Sequence, residues 1–162
     1  MQKEEILQLL KEKNISYEMQ EHPAIFTVEE GQALHMKNGD VVAKNLFLRD
    51  DKKRNYYLLT VREEKHIDLR QFQEEQHTRR LSFASENDLM SMLGLIKGSV
   101  TPFGLLNDTE HKVVFFLDED FQDSLIGIHP NENTATVFLN ADDLMRILSE
   151  CGCQCSYVTI HA

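Results

Sequence analysis

Val41-Val-Ala-Lys-Asn-Leu-Phe-Leu48, followed by Asp50-Asp-Lys-Lys-Arg54 and Tyr56-Tyr-Leu-Leu-Thr-Val61, is the stretch that sets the fold. Two apolar runs of strand length flank a polar turn, which predicts a hairpin with a charged tip. In strict alternation Val42, Lys44 and Leu46 share one face, and Ala43, Asn45 and Phe47 share the other. A lysine inside such a strand is costly to bury unless its ammonium meets an anion or reaches water. Two readings follow: a lysine snorkelling from a solvated face, or a cation aimed at a phosphate or carboxylate.

Working outward, Ile6, Leu9 and Leu10 at helical spacing predict an amphipathic N-terminal helix, and Ser16–Gln20 a short strand. Thr27-Val-Glu-Glu30 fits a capping box that opens a helix running towards Leu34. Beyond the hairpin, Leu69 and Phe72 mark a helix and Leu81–Ala84 a short strand. Ser85 and Asp88 form the ends of a second capping box, for a helix carrying Leu89, Met92 and Leu93. Lys97-Gly-Ser-Val-Thr-Pro-Phe-Gly104 reads as a loop or the start of a helix. Val113–Leu117 is apolar enough for a buried strand. Leu125–His129 and Thr134–Leu139 are two more, separated by Pro130-Asn-Glu-Asn133. Asn140 caps a last helix with Leu144, Ile147 and Leu148 inward, and Tyr157–Ile160 closes the chain as a strand. The expectation is one mixed α/β domain over 1–162, without repeats or linkers.

Composition bounds the function. The chain has 162 residues, 41% hydrophobic and 27% charged, with 17 Lys and Arg against 27 Asp and Glu, a formal charge of −10. That excludes a surface coated in positive charge, although not a local basic cleft. The N-terminus lacks a secretory signal, and no apolar run approaches the roughly 20 residues of a membrane span. Three cysteines crowd into Cys151-Gly-Cys-Gln-Cys155. The odd count suits a disulfide framework poorly, and His161 is the one further metal ligand nearby, so reduced cysteines at a helix-to-strand junction are expected. A cytoplasmic protein follows.

Walker, dinucleotide, HExxH and Gly-x-Ser-x-Gly signatures are all missing from the sequence. Three polar interruptions remain: Lys44-Asn45, the loop Gly98-Ser-Val-Thr-Pro102, and His129-Pro-Asn131 with Asn133 and Thr134. The loop is either an ordinary tight turn or a cradle whose backbone N–H groups face a carbonyl oxygen or phosphate. Pro102 suits the first position of a helix. His129 reads as a base, a hydrogen-bond donor or a structural residue satisfied by the turn.

Together, Ala43-Lys-Asn-Leu-Phe47, Gly98-Ser-Val-Thr-Pro-Phe-Gly104, Gly127-Ile-His-Pro-Asn131 and Thr134-Ala-Thr136 resemble the YbaK/ProX family of aminoacyl-tRNA editing domains. Glu21-His-Pro-Ala-Ile-Phe-Thr-Val-Glu-Glu30 resembles its ProXp-ala, or PrdX, branch. The resemblance implies a YbaK-like domain, with a central, mostly antiparallel mixed sheet or partial barrel flanked by helices. It implies a free-standing deacylase that removes alanine from proline tRNA without cofactor or metal, the YbaK branch instead clearing cysteine. Lys44, Gly98, Ser99 and His129 then take the catalytic positions, and Asn45, Thr101, Pro102 and Asn131 contact substrate. The implied partner is the tRNA acceptor end, with prolyl-tRNA synthetase as a further one and neither DNA nor a membrane. Gly98 and Ser99 N–H groups are expected to stabilise the oxyanion. Lys52, Lys53, Arg54, Arg79, Arg80 and Lys97 are available to join Lys44 in a small positive mouth on an acidic body.

Overall fold

A computed structural model of the protein describes residues 1–24 and 41–161. The capping box at Thr27–Glu30 and the helix expected after it lie outside the described residues, as does most of the Glu21–Glu30 stretch. Helix α1 (Lys3–Glu12) and strand β1 (Tyr17–Glu21) lead to the hairpin β2 (Ala43–Asp50) and β3 (Tyr56–Arg62). Helix α2 (Leu69–Gln76), β4 (Leu81–Phe83) and the short α3 (Glu86–Asp88) follow. The remainder is β5 (Val113–Asp118), β6 (Leu125–Ile128), β7 (Ala135–Asn140), α4 (Ala141–Glu150) and β8 (Gln154–Val158).

The strands form two sheets, ordered β1-β7-β6 and β4-β2-β3-β5-β8. The smaller sheet is wholly antiparallel and the larger is mixed, parallel only where β3 meets β5 and β5 meets β8; the pairing is mostly antiparallel, as expected, but shared between two sheets rather than one. A parallel bridge between Val42 and Gly127 joins the two sheets at one point. Alternation along the central strands divides the interior. Phe47, Leu58 and Phe115 face the larger core with Ile128, Val137, Leu144 and Ile147, whereas Leu48, Leu59 and Phe116 face Phe72 of α2 and Ile160.

The hairpin tip turns because Asp50 folds back into it. Its carboxylate accepts from Arg54 N at 2.9 Å and Asn55 Nδ2 at 2.8 Å, which satisfies a side chain only 1% exposed. The Ser85–Asp88 capping box forms, but Leu89–Leu93 widens into a π-helical turn that ends at Gly94, φ +67°. The last strand starts earlier than Tyr157 and stops at Val158, because its pairing runs from Val114 opposite Gln154 to Asp118 opposite Val158. The length of β5 sets it, which no local signal conveys.

Candidate active site

The Gly98–Pro102 loop and His129 are held together directly. Gly98 takes φ +89°, a conformation that favours glycine, and Thr101 caps the 3-10 helix Pro102–Asn107. Thr101 Oγ1 donates to the main-chain carbonyl of His129 at 2.6 Å, and the threonine is fully buried. Pro102 stands at the first helical position, as its missing N–H allows. Ser99 is 2% exposed, and its N–H donates to Ile96 O at 3.0 Å. That donor is spent within the turn, which corrects the expectation that Ser99 N–H faces an oxyanion.

His129 follows β6 and is half-buried. Its Nδ1 lies 2.9 Å from Ala135 O, so Nδ1 carries the proton and the neutral ring keeps its lone pair on Nε2. Burial pushes its pKa below the ordinary imidazole value, a hydrogen bond to Ala135 opposes this, and His22 adds to the lowering. The His22 ring stands edge-on at 6.1 Å. His22 Nδ1 donates to Pro23 O at 2.9 Å, leaving Nε2 to accept from the Thr136 hydroxyl at 2.8 Å. His22 lies in the Glu21–Glu30 stretch and is not among the site residues expected from sequence. A His-Pro pair at a strand end was the available signal.

The Val42–Gly127 bridge brings the hairpin to this cluster. In a parallel bridge both chains advance in one direction, and Lys44 and His129 each lie two residues beyond it. A side chain on Gly127 would meet Phe138 Cε1 of the neighbouring strand at 2.7 Å and Val42 Cγ2 of the bridge at 3.3 Å, so glycine leaves room on both sides. Asn45 Oδ1 accepts from Thr60 Oγ1 at 2.6 Å, which turns its amide NH₂ into the free end of the side chain. Lys44 Nζ donates to Lys65 O at 2.6 Å. Asn131 has φ +63°, and its Nδ2 donates to Met1 O at 2.9 Å.

The surroundings of Lys44 are mixed in sign rather than a positive mouth. Glu63 is held above the usual carboxylate range by burial and by Glu64, with Lys44 pulling it back. Lys65 clamps Asp118 at 2.6 Å and Asp120 at 2.9 Å. Lys52, Lys53 and Arg54 sit at the hairpin tip, the other end of β2 from Lys44 and about 20 Å away at ~3.3 Å per residue. Arg79 is paired with Asp51 at 2.6 Å, and Lys97 directly precedes the loop.

The cysteines are unpaired and sit at the junction of α4 and β8. Among the described residues, no group of His, Cys, Asp or Glu is placed to hold a metal ion, and no helix is long and apolar enough to cross a membrane.

The Thr101–His129 bond locks a glycine loop to a histidine, and the bridge between the sheets brings the strand that carries Lys44 and Asn45 towards them. The chain belongs to the aminoacyl-tRNA editing domain family, whose match covers residues 22–147. It is 40% identical over 151 residues to the prolyl-tRNA editing protein ProX of Acetoanaerobium sticklandii, covering 93% of this chain and 92% of that one. It is 36% identical to the prolyl-tRNA synthetase associated domain-containing protein 1 of Danio rerio, covering 91% and 82%. A crystal structure described as a candidate trans-editing enzyme for prolyl-tRNA synthetase superposes with a TM-score of 0.70 over 99% of this chain and 96% of that one. At 20% identity that likeness speaks for the fold.

Proposed function

We propose that residues 1–162 act as one cytoplasmic deacylase domain that hydrolyses the ester of alanine mischarged on proline tRNA. The observation that carries this reading is the Thr101–His129 hydrogen bond. It fixes a glycine loop and a neutral imidazole against each other in a chain 40% identical to a prolyl-tRNA editing protein.

An aminoacyl ester is already activated, so positioned water and oxyanion stabilisation suffice. Water attacks the ester carbonyl, and its proton is drawn towards the His129 Nε2 lone pair and the free hydroxyl of the terminal ribose. Gly98 N–H faces the developing oxyanion, while Ser99 holds the turn that presents it. The tetrahedral intermediate collapses as the C–O bond to the ribose breaks, and the leaving ribose oxygen takes the proton that His129 Nε2 drew from the water, giving alanine, uncharged tRNA and a neutral His129. Lys44 holds the terminal phosphate, and the Asn45 amide donates to the substrate. Asn131 keeps the turn after His129 in its left-handed conformation. A pocket too small for proline protects the correct product sterically, since binding one methyl group yields only about 1–3 kcal/mol of discrimination.

The partner is the acceptor end of mischarged proline tRNA, with prolyl-tRNA synthetase as the enzyme whose errors are cleared. A panel of purified tRNAs charged with alanine, cysteine, serine and proline tests this. Rapid release of alanine from proline tRNA supports the reading. Preferred release of cysteine or serine would move the specificity, and binding without turnover would make the protein a tRNA-binding module.

A further inference from the structure

The Lys44 ammonium is oriented by a main-chain carbonyl, and that carbonyl is itself braced. Lys65, whose O accepts from Lys44 Nζ at 2.6 Å, closes the turn after β3 with its N–H on Arg62 O at 3.0 Å. Its own side chain then crosses to β5. Nζ lies 2.6 Å from Asp118, whose side chain is fully buried, and 2.9 Å from the half-exposed Asp120. The Lys65 side chain is 13% exposed, so solvent screens the pair little. A second tie runs alongside: Arg62 donates to Asp120 O at 3.2 Å, and its guanidinium lies 5.1 Å over the Phe121 ring.

We infer that the Lys65–Asp118 pair is a positioning device for Lys44, a strut from β5 that sets the direction of the substrate-holding ammonium. This rests on the reading of Lys44 as that group. A lysine ammonium has three donors on a flexible stem, so one bond to a fixed carbonyl aims the other two. Without the strut the turn at 62–65 loses the ionic ties of Lys65 to Asp118 at the end of β5 and to Asp120 just beyond it, and the carbonyl moves with it. Lys65 contacts no reacting atom in this scheme. It acts through Lys44.

Two measurements on the intact protein test the strut. In ¹⁵N-labelled wild type, the Lys44 ammonium, assigned by its loss in Lys44→Arg, gives a protected resonance if the carbonyl bond persists in solution. Absence of that resonance overturns the proposal. The double variant Lys65→Met/Asp118→Leu removes both charges together, which avoids stranding one in the interior. In the folded double variant the resonance is expected to disappear. KM for Ala-tRNA(Pro) should rise about tenfold to a hundredfold, with kcat little changed, because misplaced binding groups carry penalties of that order. Lys65→Arg, which keeps the pair, should retain both signals. An unaltered resonance in the double variant overturns the strut, and so does a fall in kcat at constant KM. Wild-type activity in Lys44→Ala would instead bring down the role given to Lys44, while the resonance still reports on the strut.

Discussion

Thr101 Oγ1 donates to the His129 carbonyl at 2.6 Å across 28 residues of sequence, and this bond ties the loop to the histidine. Thr101→Val keeps the shape and deletes the bond. It should cost about 1–3 kcal/mol of stability, since the carbonyl loses its partner in a buried setting. Deacylation should fall at least tenfold in that variant, while Thr101→Ser retains most of both. Thermal unfolding and single-turnover hydrolysis report the two effects.

His129 makes stability depend on pH in a defined direction. Burial, only partly opposed by the Ala135 hydrogen bond, lowers its folded pKa, whereas the unfolded chain takes up the proton near 6.5. Between those values the unfolded state binds more protons, so stability is full above pH 6.5 and falls on acidification towards the folded value. His129→Asn should flatten that part of the curve in denaturant titrations run from pH 8 to pH 5. Activity should stay level through pH 6.5, since Nε2 keeps its lone pair until lower pH.

Gly127→Ala probes the joint between the sheets. Its methyl would stand 2.7 Å from Phe138 Cε1 and 3.3 Å from Val42 Cγ2. Overpacking of this kind costs about 1–3 kcal/mol. Separation of β6 from β2 would also part His129 from Lys44, so deacylation should drop further than stability. Phe138→Leu in the same chain makes room for the methyl and should return part of the activity.

The cysteines divide by exposure. Burial, with Cys151 and Cys155 adding to it, pushes the Cys153 thiol up to about 11, while Cys151 is exposed. Alkylation at pH 8 followed by mass spectrometry should modify Cys151 well before Cys153, because the thiolate is the reacting form. Replacement of all three by serine should leave deacylation unchanged, and so should a chelator.

Much of this was legible because the local signals agreed with one another. Asn140 caps α4 as its side chain suggests, accepting from Asp142 N at 2.8 Å, and the Ser85–Asp88 box forms. The hairpin followed from two apolar runs around a polar tip. What stayed hidden depends on pairing distant in sequence. Lys65 and Asp118 lie 53 residues apart, and neither carries a local mark of its partner. The positive mouth failed for a geometric reason. The Lys52–Arg54 group and Lys44 belong to opposite ends of one strand, and a count of basic residues holds no distances. On the proposed reading, the −10 charge limits contact to a short acceptor end held by few cations.

On the proposed reading Lys44 and His129 form one deacylation site, and single-turnover hydrolysis of Ala-tRNA(Pro) by Lys44→Ala measures this most directly. The variant should remain folded, with its melting transition near that of wild type, and lose at least a hundredfold in rate. Full activity in the folded variant would contradict the account.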